Sequence, residues 1–262
     1  MPRMRLDQLL VERGLAPSRA AAQAMLIAGE VEVQGHGRSM KPGNLVAPTT
    51  HLIVRERPRW ASRAGDKLVA ALDEFGVDVS GTIALDAGAS TGGFTDVLLT
   101  RGAKRVYAVD VGTAQLIDRL RNDPRVIAME RTNLRTLAEL PETPQLVTLD
   151  LSFISLRLVL PAVRRLMAGD GVVIALVKPQ FEAGRDAVPR GGVIRDPVVH
   201  ADVLRQFVLD AAEAGFGVIG LRRSPVAGTD GNVEFLAKLA EPPGMAPEAL
   251  AERIEVVTAP SG

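Results

Sequence analysis

The apolar residues of this chain fall into two successive patterns. The first runs from residue 4 to about 54. Leu6, Leu9, Leu10 and Arg13 stand at helical spacing and Gly14 stops that run. Ser18 is an N-cap candidate for a second helix, Arg19 to Ala28, closed by Gly29. Val31 and Val33 alternate with glutamates, as in a half-exposed strand, and residues 45–54 supply more strand-like sequence. Arg57-Pro58-Arg59-Trp60 reads as a linker into a second domain.

From residue 61 the pattern becomes an alternation of helices and short apolar runs. Leu68, Ala71, Leu72 and Phe75 form an i, i+3, i+4, i+7 stripe. Strands are predicted at 83–85, 106–109, 126–129, 146–149, 172–177, 218–222 and 233–239. Helices are predicted at 155–167 and from Asp196-Pro197 to Gly215, the latter with an N-cap followed by proline. Repeated β–α alternation predicts an α/β fold, a mostly parallel doubly wound Rossmann-type sheet with helices on both faces. The expected division is a small α+β domain at 1–57, a linker at 58–61, the sheet domain at 62–241 and a peripheral Pro-rich tail at 242–262.

Composition narrows the chemistry. There is no cysteine, which excludes disulfides, thiolate-held clusters and cysteine nucleophiles. No apolar stretch is long enough to span a bilayer, the first residues lack a signal-peptide core, and the expected location is the cytoplasm, with no membrane partner. The three histidines show no metal-ligand spacing, so no metal is expected. The net charge is zero, but residues 1–60 hold nine Lys/Arg against five Asp/Glu, a balance of +4 that leaves −4 on the remainder. A basic front module on an acidic body suits a nucleic-acid partner.

The sharpest local signal is Leu85-Asp86-Ala87-Gly88-Ala89-Ser90-Thr91-Gly92-Gly93-Phe94-Thr95-Asp96, which leaves a predicted strand and opens a helix. Small residues let backbone approach a ligand, and a helix N-terminus favours polar or anionic groups. Ser90 stands where a dinucleotide fingerprint wants glycine, which argues against a plain NAD site. The next predicted strand ends in Asp110, placed to accept hydrogen bonds from ribose hydroxyls. The bland alternative is a tight turn with a capping aspartate. The cofactor reading takes Asp86, Gly88, Ala89, Ser90, Gly92, Gly93, Phe94, Asp110, Val111 and Asp150 as its binding positions.

Together these stretches resemble the TlyA (hemolysin A) family and, more loosely, FtsJ-type ribose methyltransferases. The resemblance is carried by Ser62-Arg63-Ala64-Gly65-Asp66-Lys67-Leu68, the Asp86–Asp96 loop, Asp150-Leu151-Ser152-Phe153, Val177-Lys178-Pro179-Gln180-Phe181-Glu182, Gly191-Gly192-Val193-Ile194-Arg195-Asp196 and Gly231-Asn232-Val233-Glu234-Phe235. The front module is similar to the S-four-type RNA-binding domain through Arg5-Leu6-Asp7, Ser18-Arg19 and Gly29-Glu30-Val31-Glu32-Val33. The resemblance implies S-adenosylmethionine as cofactor, methylation of ribose 2′-hydroxyls of ribosomal RNA, ribosomal subunits as partners, and a catalytic tetrad at Lys67, Asp150, Lys178 and Glu234. The chain departs from the family at Ala64-Gly65-Asp66, where the extra carboxylate beside Lys67 either favours its charged form or points away from it.

The chemistry asked of such a tetrad is proton removal from a hydroxyl while it is held in line with a methyl group. A lysine serves as base only if burial or a neighbouring cation favours the neutral amine. Lys178 follows the apolar run 172–177. The chain has five lysines against 26 arginines, and a base is a place where arginine fails because it does not lose its proton. A lysine merely snorkelling from a strand end is the structural alternative. Arg5, Arg19, Arg63, Arg185, Arg190 and Arg195 are the expected RNA-binding residues, the last three in a Gly-containing stretch that reads equally as a solvated loop. Rival functions are a membrane-active cytolysin, which leaves the glycine loop unexplained, and a noncatalytic ribosome-binding factor, which has no use for the tetrad.

Overall fold

The computed structural model describes residues 3–37, 40–54, 59–184, 187–228 and 230–260. The chain divides into two compact units, Met1–Pro58 and Arg59–Gly262. In the first, β1 (Met4–Arg5), α1 (Leu6–Glu12), α2 (Arg19–Ile27), β2 (Val31–Val33), β3 (Leu45–Val46) and β4 (Leu52–Val54) come in order. β1 pairs with β3 and β2 with β4, both antiparallel. The run expected at 45–54 is therefore two short strands separated by a turn. The Ser18 hydroxyl accepts from the Ala21 N–H at 3.2 Å and caps α2. Leu6, Leu9, Leu10, Ala22, Leu26 and Val46 form the core of this unit.

The second unit contains α3 (Ala64–Glu74), β5 (Ile83–Ala87), α4 (Gly93–Thr100), β6 (Arg105–Val109), α5 (Asp118–Arg121), β7 (Val126–Met129), β8 (Leu146–Leu149), α6 (Leu160–Leu166), β9 (Val172–Val177), α7 (Pro179–Glu182), α8 (Pro197–Glu213), β10 (Gly217–Arg223), β11 (Phe235–Ala240) and α9 (Pro247–Thr258). One seven-stranded sheet has the order β10-β11-β9-β8-β5-β6-β7. β5 to β9 are parallel, and β11 is antiparallel to both its neighbours. Period-two alternation sends Val173, Ala175 and Val177 of β9 to one core and Ile174 and Leu176 to the other. Helices α6, α8 and α9 cover the first face, α3 and α4 the second.

Four expectations change. The predicted helix 155–167 is a short 3-10 turn, Leu156–Leu158, followed by α6. Pro161 lies in the first turn of α6, where its missing N–H breaks the ladder to the preceding turn. The strand predicted from Val233 begins at Phe235. Residues 247–258, expected in a peripheral tail, form α9, whose Ile254 and Val257 are buried in the core. Trp60, expected in a linker, is buried in the second unit. Its ring fills the space beside Gly65, where any Cβ would collide with the indole.

Candidate active site and cofactor cleft

Ligands of open α/β sheets bind beyond the carboxyl ends of the strands, where the strand order reverses. Here that point lies between β5 and β8. The Asp150 N–H donates to the Ala87 carbonyl at 3.0 Å, so the chain leaving β8 runs beside the glycine loop. Gly88 has φ +83°, and a Cβ there would collide with the Asp150 carbonyl oxygen. Asp110, after β6, accepts from Ser90 N–H at 2.8 Å through Oδ2 and from Gly112 N–H at 2.7 Å through Oδ1. It thus ties the glycine loop to the end of the next strand. Asp110, Val111, Thr132, Asn133, Leu134 and Ile154 line a cavity of about 510 Å³.

A second cavity of about 580 Å³ adjoins the first and shares Gly88, Ser90, Asp150, Ser152 and Phe153 with it. Lys67, Asp150, Lys178 and Glu234 all line it. The sheet register brings them together. Phe235 pairs with Val177 across the antiparallel β9–β11 ladder, so Glu234 and Lys178 lie one step beyond that pair. The four form two ion pairs. Lys178 Nζ lies 2.7 Å from Asp150 Oδ1 and donates to Ser152 Oγ at 3.0 Å. Lys67 Nζ lies 2.5 Å from Glu234 Oε2. Lys67, Lys178 and Glu234 are buried, and buried charges persist when paired. Of the two readings of Asp66, the second holds: it is exposed and accepts from Trp60 Nε1 at 3.1 Å, while Lys67 pairs with Glu234.

The other loop positions divide. Ala89, Ser90, Gly93 and Phe94 line the second cavity, and Val111, largely exposed, lines the first. Gly92 caps α4, with its Cα facing Leu116 and Leu120. Asp86 is different from what the sequence suggests. It is fully buried beneath the loop, accepting from Thr95 Oγ1 at 2.6 Å and from Thr148 Oγ1 at 2.9 Å, and it lines neither cavity. It braces the first turn of α4 against β8.

Burial, opposed by those two hydroxyls and reinforced by the nearby Asp150 charge, pushes the Asp86 carboxyl up to about 6 from 3.8. The folded state therefore binds this proton more tightly than the unfolded chain. Stability from this group is fully present below pH ~4 and lost as pH rises through about 6, a loss of roughly 3 kcal/mol. Asp86→Asn, which cannot ionise, should flatten that part of the pH dependence. Melting curves from pH 4.5 to 7.5 check it, and an unchanged wild-type slope in the variant would count against the assignment.

Among the expected RNA-binding residues, Arg63 is exposed and lines the second cavity. Arg190 and Arg195 are exposed, and Arg185 lies outside the described residues. Arg5 and Arg19 converge on Asp7. Arg5 Nη2 and Arg19 Nε lie 2.9 and 3.1 Å from Asp7 Oδ2, and Gln23 Nε2 donates to the same oxygen at 2.9 Å. Asp7 is fully buried, and the Arg5 hydrogen bond is the largest of the effects that hold its carboxyl well below the usual range. Both guanidinium groups remain about half exposed and so are presented in fixed positions. Ser152, Gln180 and Phe181, which stand in the motifs that carry the resemblance but were given no role there, also line the cavities, as do Thr132 and Asn133, which were not singled out from sequence. The position of Thr132 and Asn133 just past a strand end was the available signal.

The model of the FtsJ-like methyltransferase family matches residues 60–240, and that of the S4 domain matches residues 4–36. The 16S/23S rRNA (cytidine-2′-O)-methyltransferase TlyA of Mycobacterium tuberculosis is 48% identical over 239 residues, 89% of this chain and 88% of that protein. The chain is a methyltransferase of the TlyA (hemolysin A) family. Hemolysin A of Brachyspira hyodysenteriae is 40% identical over 237 residues, 89% of this chain and 98% of that one. A solved structure from Streptococcus thermophilus, described as a hemolysin, has 42% identity and a TM-score of 0.74, covering 98% of this chain and 96% of its own. Membership of the TlyA family implies use of S-adenosylmethionine and an RNA substrate. Among the described residues no helix is long and apolar enough to cross a membrane, and no group of three or more His, Asp or Glu is placed to hold a metal ion.

Proposed function

We propose that this TlyA-family protein methylates ribose 2′-hydroxyls of ribosomal RNA within ribosomal subunits, using S-adenosylmethionine held at the switch point of the sheet. One observation carries the reading. Two lysine–carboxylate pairs face a single cleft that is continuous with a nucleoside-sized cavity.

The residues present fit that cofactor. Val111, Leu134 and Ile154 offer an apolar slot for a flat ring, Asp110 has acceptor capacity for ribose hydroxyls, and the space beside Gly88 is kept clear of a side chain. When bound, the cofactor supplies an electrophilic methyl group on a sulfonium. The neutral amine form of Lys178 takes the hydroxyl proton and becomes the ammonium that Asp150 and Ser152 hold. Lys67, held by Glu234, positions the acceptor oxygen. Phe153 is exposed and lies against Phe181, with ring centroids 5.1 Å apart, offering the nucleotide an aromatic surface beside the cleft. The C5-pyrimidine chemistry that depends on a cysteine nucleophile is excluded by composition. Ribosomal RNA incubated with the protein and labelled S-adenosylmethionine should gain a 2′-O-methyl group that is absent without the protein. Label found only on bases would overturn the reading.

Two further results are expected. Asp110→Ala should weaken S-adenosylmethionine binding by roughly 1.5–3 kcal/mol, the usual worth of hydrogen bonds to a charged group; calorimetry giving wild-type affinity would contradict the placement. Deleting residues 1–57 should weaken RNA binding and spare cofactor binding. The log–log salt slope of affinity should also become shallower, by roughly 0.7–0.9 for each phosphate that the shortened protein no longer neutralises. Equal RNA affinity with and without the segment would remove it from the RNA interface.

A further inference from the structure

The loop that leaves Asp150 has a strained backbone. Phe153 adopts φ +63° and is 91% exposed. For a non-glycine residue the left-handed region costs about 1–3 kcal/mol and persists only where surrounding contacts enforce it. Side-chain hydrogen bonds on both sides of Phe153 come from one short segment, residues 178–182. At the near end of the loop, Lys178 Nζ binds Asp150 Oδ1 and Ser152 Oγ. At the far end, Glu182 Oε2 accepts from Ser155 Oγ at 2.6 Å and Glu182 Oε1 accepts from Leu156 N–H at 2.9 Å. Lys178 and Glu182 thus grip the loop on both sides of Phe153. The gripped residues matter twice: Ser152 and Phe153 line the catalytic cavity, and Leu151, Ser152, Phe153 and Ile154 line the cofactor cavity.

We propose that Glu182 is a positioning residue of the transfer reaction: its carboxyl closes the loop after Asp150 and thereby sets both the Lys178–Asp150 pair and one wall of the cofactor cavity. This inference rests on the function proposed above. Glu182 touches neither reacting atom, so its effect is indirect. The competing role is a cap that only satisfies the backbone at the start of the Leu156–Leu158 turn. Burial pushes the Glu182 carboxyl up, with the nearby Asp210 charge adding to it and its two hydrogen bonds opposing. Glutamine, the shape of the neutral acid, keeps an acceptor for Leu156 N–H and a group that can face Ser155 Oγ.

The test compares E182A, E182Q and S155A by calorimetric S-adenosylmethionine affinity, single-turnover methyl transfer to ribosomal RNA, and melting temperature. E182A should lose about tenfold in cofactor affinity and at least as much in rate, S155A about threefold in each, and E182Q should stay within about threefold of wild type, as expected for hydrogen bonds worth ~0.7 kcal/mol each. F153G removes the cost of the left-handed backbone. In the F153G background, E182A should therefore lose less than about threefold in cofactor affinity. A lowered melting temperature with wild-type affinity and rate in E182A would reduce Glu182 to a cap. Equal affinity losses with and without F153G would show that Glu182 does not act through the loop. If E182A fails to fold, S155A with wild-type affinity and rate overturns the proposal. The affinity comparison does not depend on which atom of the RNA accepts the methyl group, so wild-type protein that marks no ribose would refute the proposed function separately.

Discussion

Replacing Lys178 by arginine should lower single-turnover methyl transfer by roughly 10²–10⁴-fold, the usual loss on removing a general base, while cofactor binding stays near normal. Arginine keeps the positive charge and can still bind Asp150, but it cannot lose its proton. Lys178 sits at the end of β9 with 7% of its surface exposed and its Nζ fixed by Asp150 and Ser152. A variant that preserves the ion pair therefore separates the two roles that the pair combines. If Lys178 only supplies charge to hold Asp150 and the loop, arginine will retain most of the activity. If it takes the proton, arginine will fold, bind cofactor and stall. Lys178→Ala serves as the contrast. It leaves Asp150 without its ammonium, so both rate and melting temperature should fall. Near-wild-type turnover by the arginine variant would remove Lys178 as the base and make Lys67 the next candidate.

The parts of this molecule that were legible in the sequence are those set by local periodicity. The strands from Ile83 to Val177 are read directly from short apolar runs between helical stripes, because each buried parallel strand must be apolar on both faces. The cavity lined by Gly88, Asp110 and Val111 was legible as a strand, a glycine loop and an acid in order. Other features depend on tertiary placement. Asp86 and Asp110 lie at the carboxyl ends of neighbouring strands, Asp86 one residue before the end of β5 and Asp110 just after β6, yet Asp86 points into the core beneath the loop and Asp110 into the cavity; a linear sequence does not say which. The tetrad came from resemblance alone, since its closure depends on the β9–β11 register and on the position of Lys67 in α3. The role of Asp7 was hidden for the same reason. Arg5, Arg19 and Gln23 are spread over nineteen residues and meet only when α1 packs on α2. Helix α9 was missed because prolines before it suggested an irregular tail, while its buried face is carried by only Ile254, Val257 and Thr258.

Gly88→Val should abolish S-adenosylmethionine binding, with an affinity at least about 100-fold below wild type, or roughly 3 kcal/mol. Two effects add. The backbone at Gly88 has φ +83°, a conformation that β-branched residues avoid at a cost of about 1–2 kcal/mol. A Cβ would also collide with the Asp150 carbonyl oxygen and lie 2.9 Å from its carbon. These are backbone atoms, so they cannot rotate away as a flexible side chain could. Relief requires the glycine loop and the Asp150 loop to part. That movement disturbs the boundary shared by both cavities and shifts Asp150 away from Lys178. Gly88→Ala is the more discriminating variant. Alanine adds only the offending Cβ, so it should already lose most of the affinity if the clash with Asp150 is the cause. If the cavity merely lacked room for a bulky valine, alanine would bind almost normally. Calorimetry on both variants, with melting temperature measured alongside, separates these outcomes; wild-type affinity in the alanine variant would show that the approach of Gly88 to Asp150 is not what shapes the cofactor cleft.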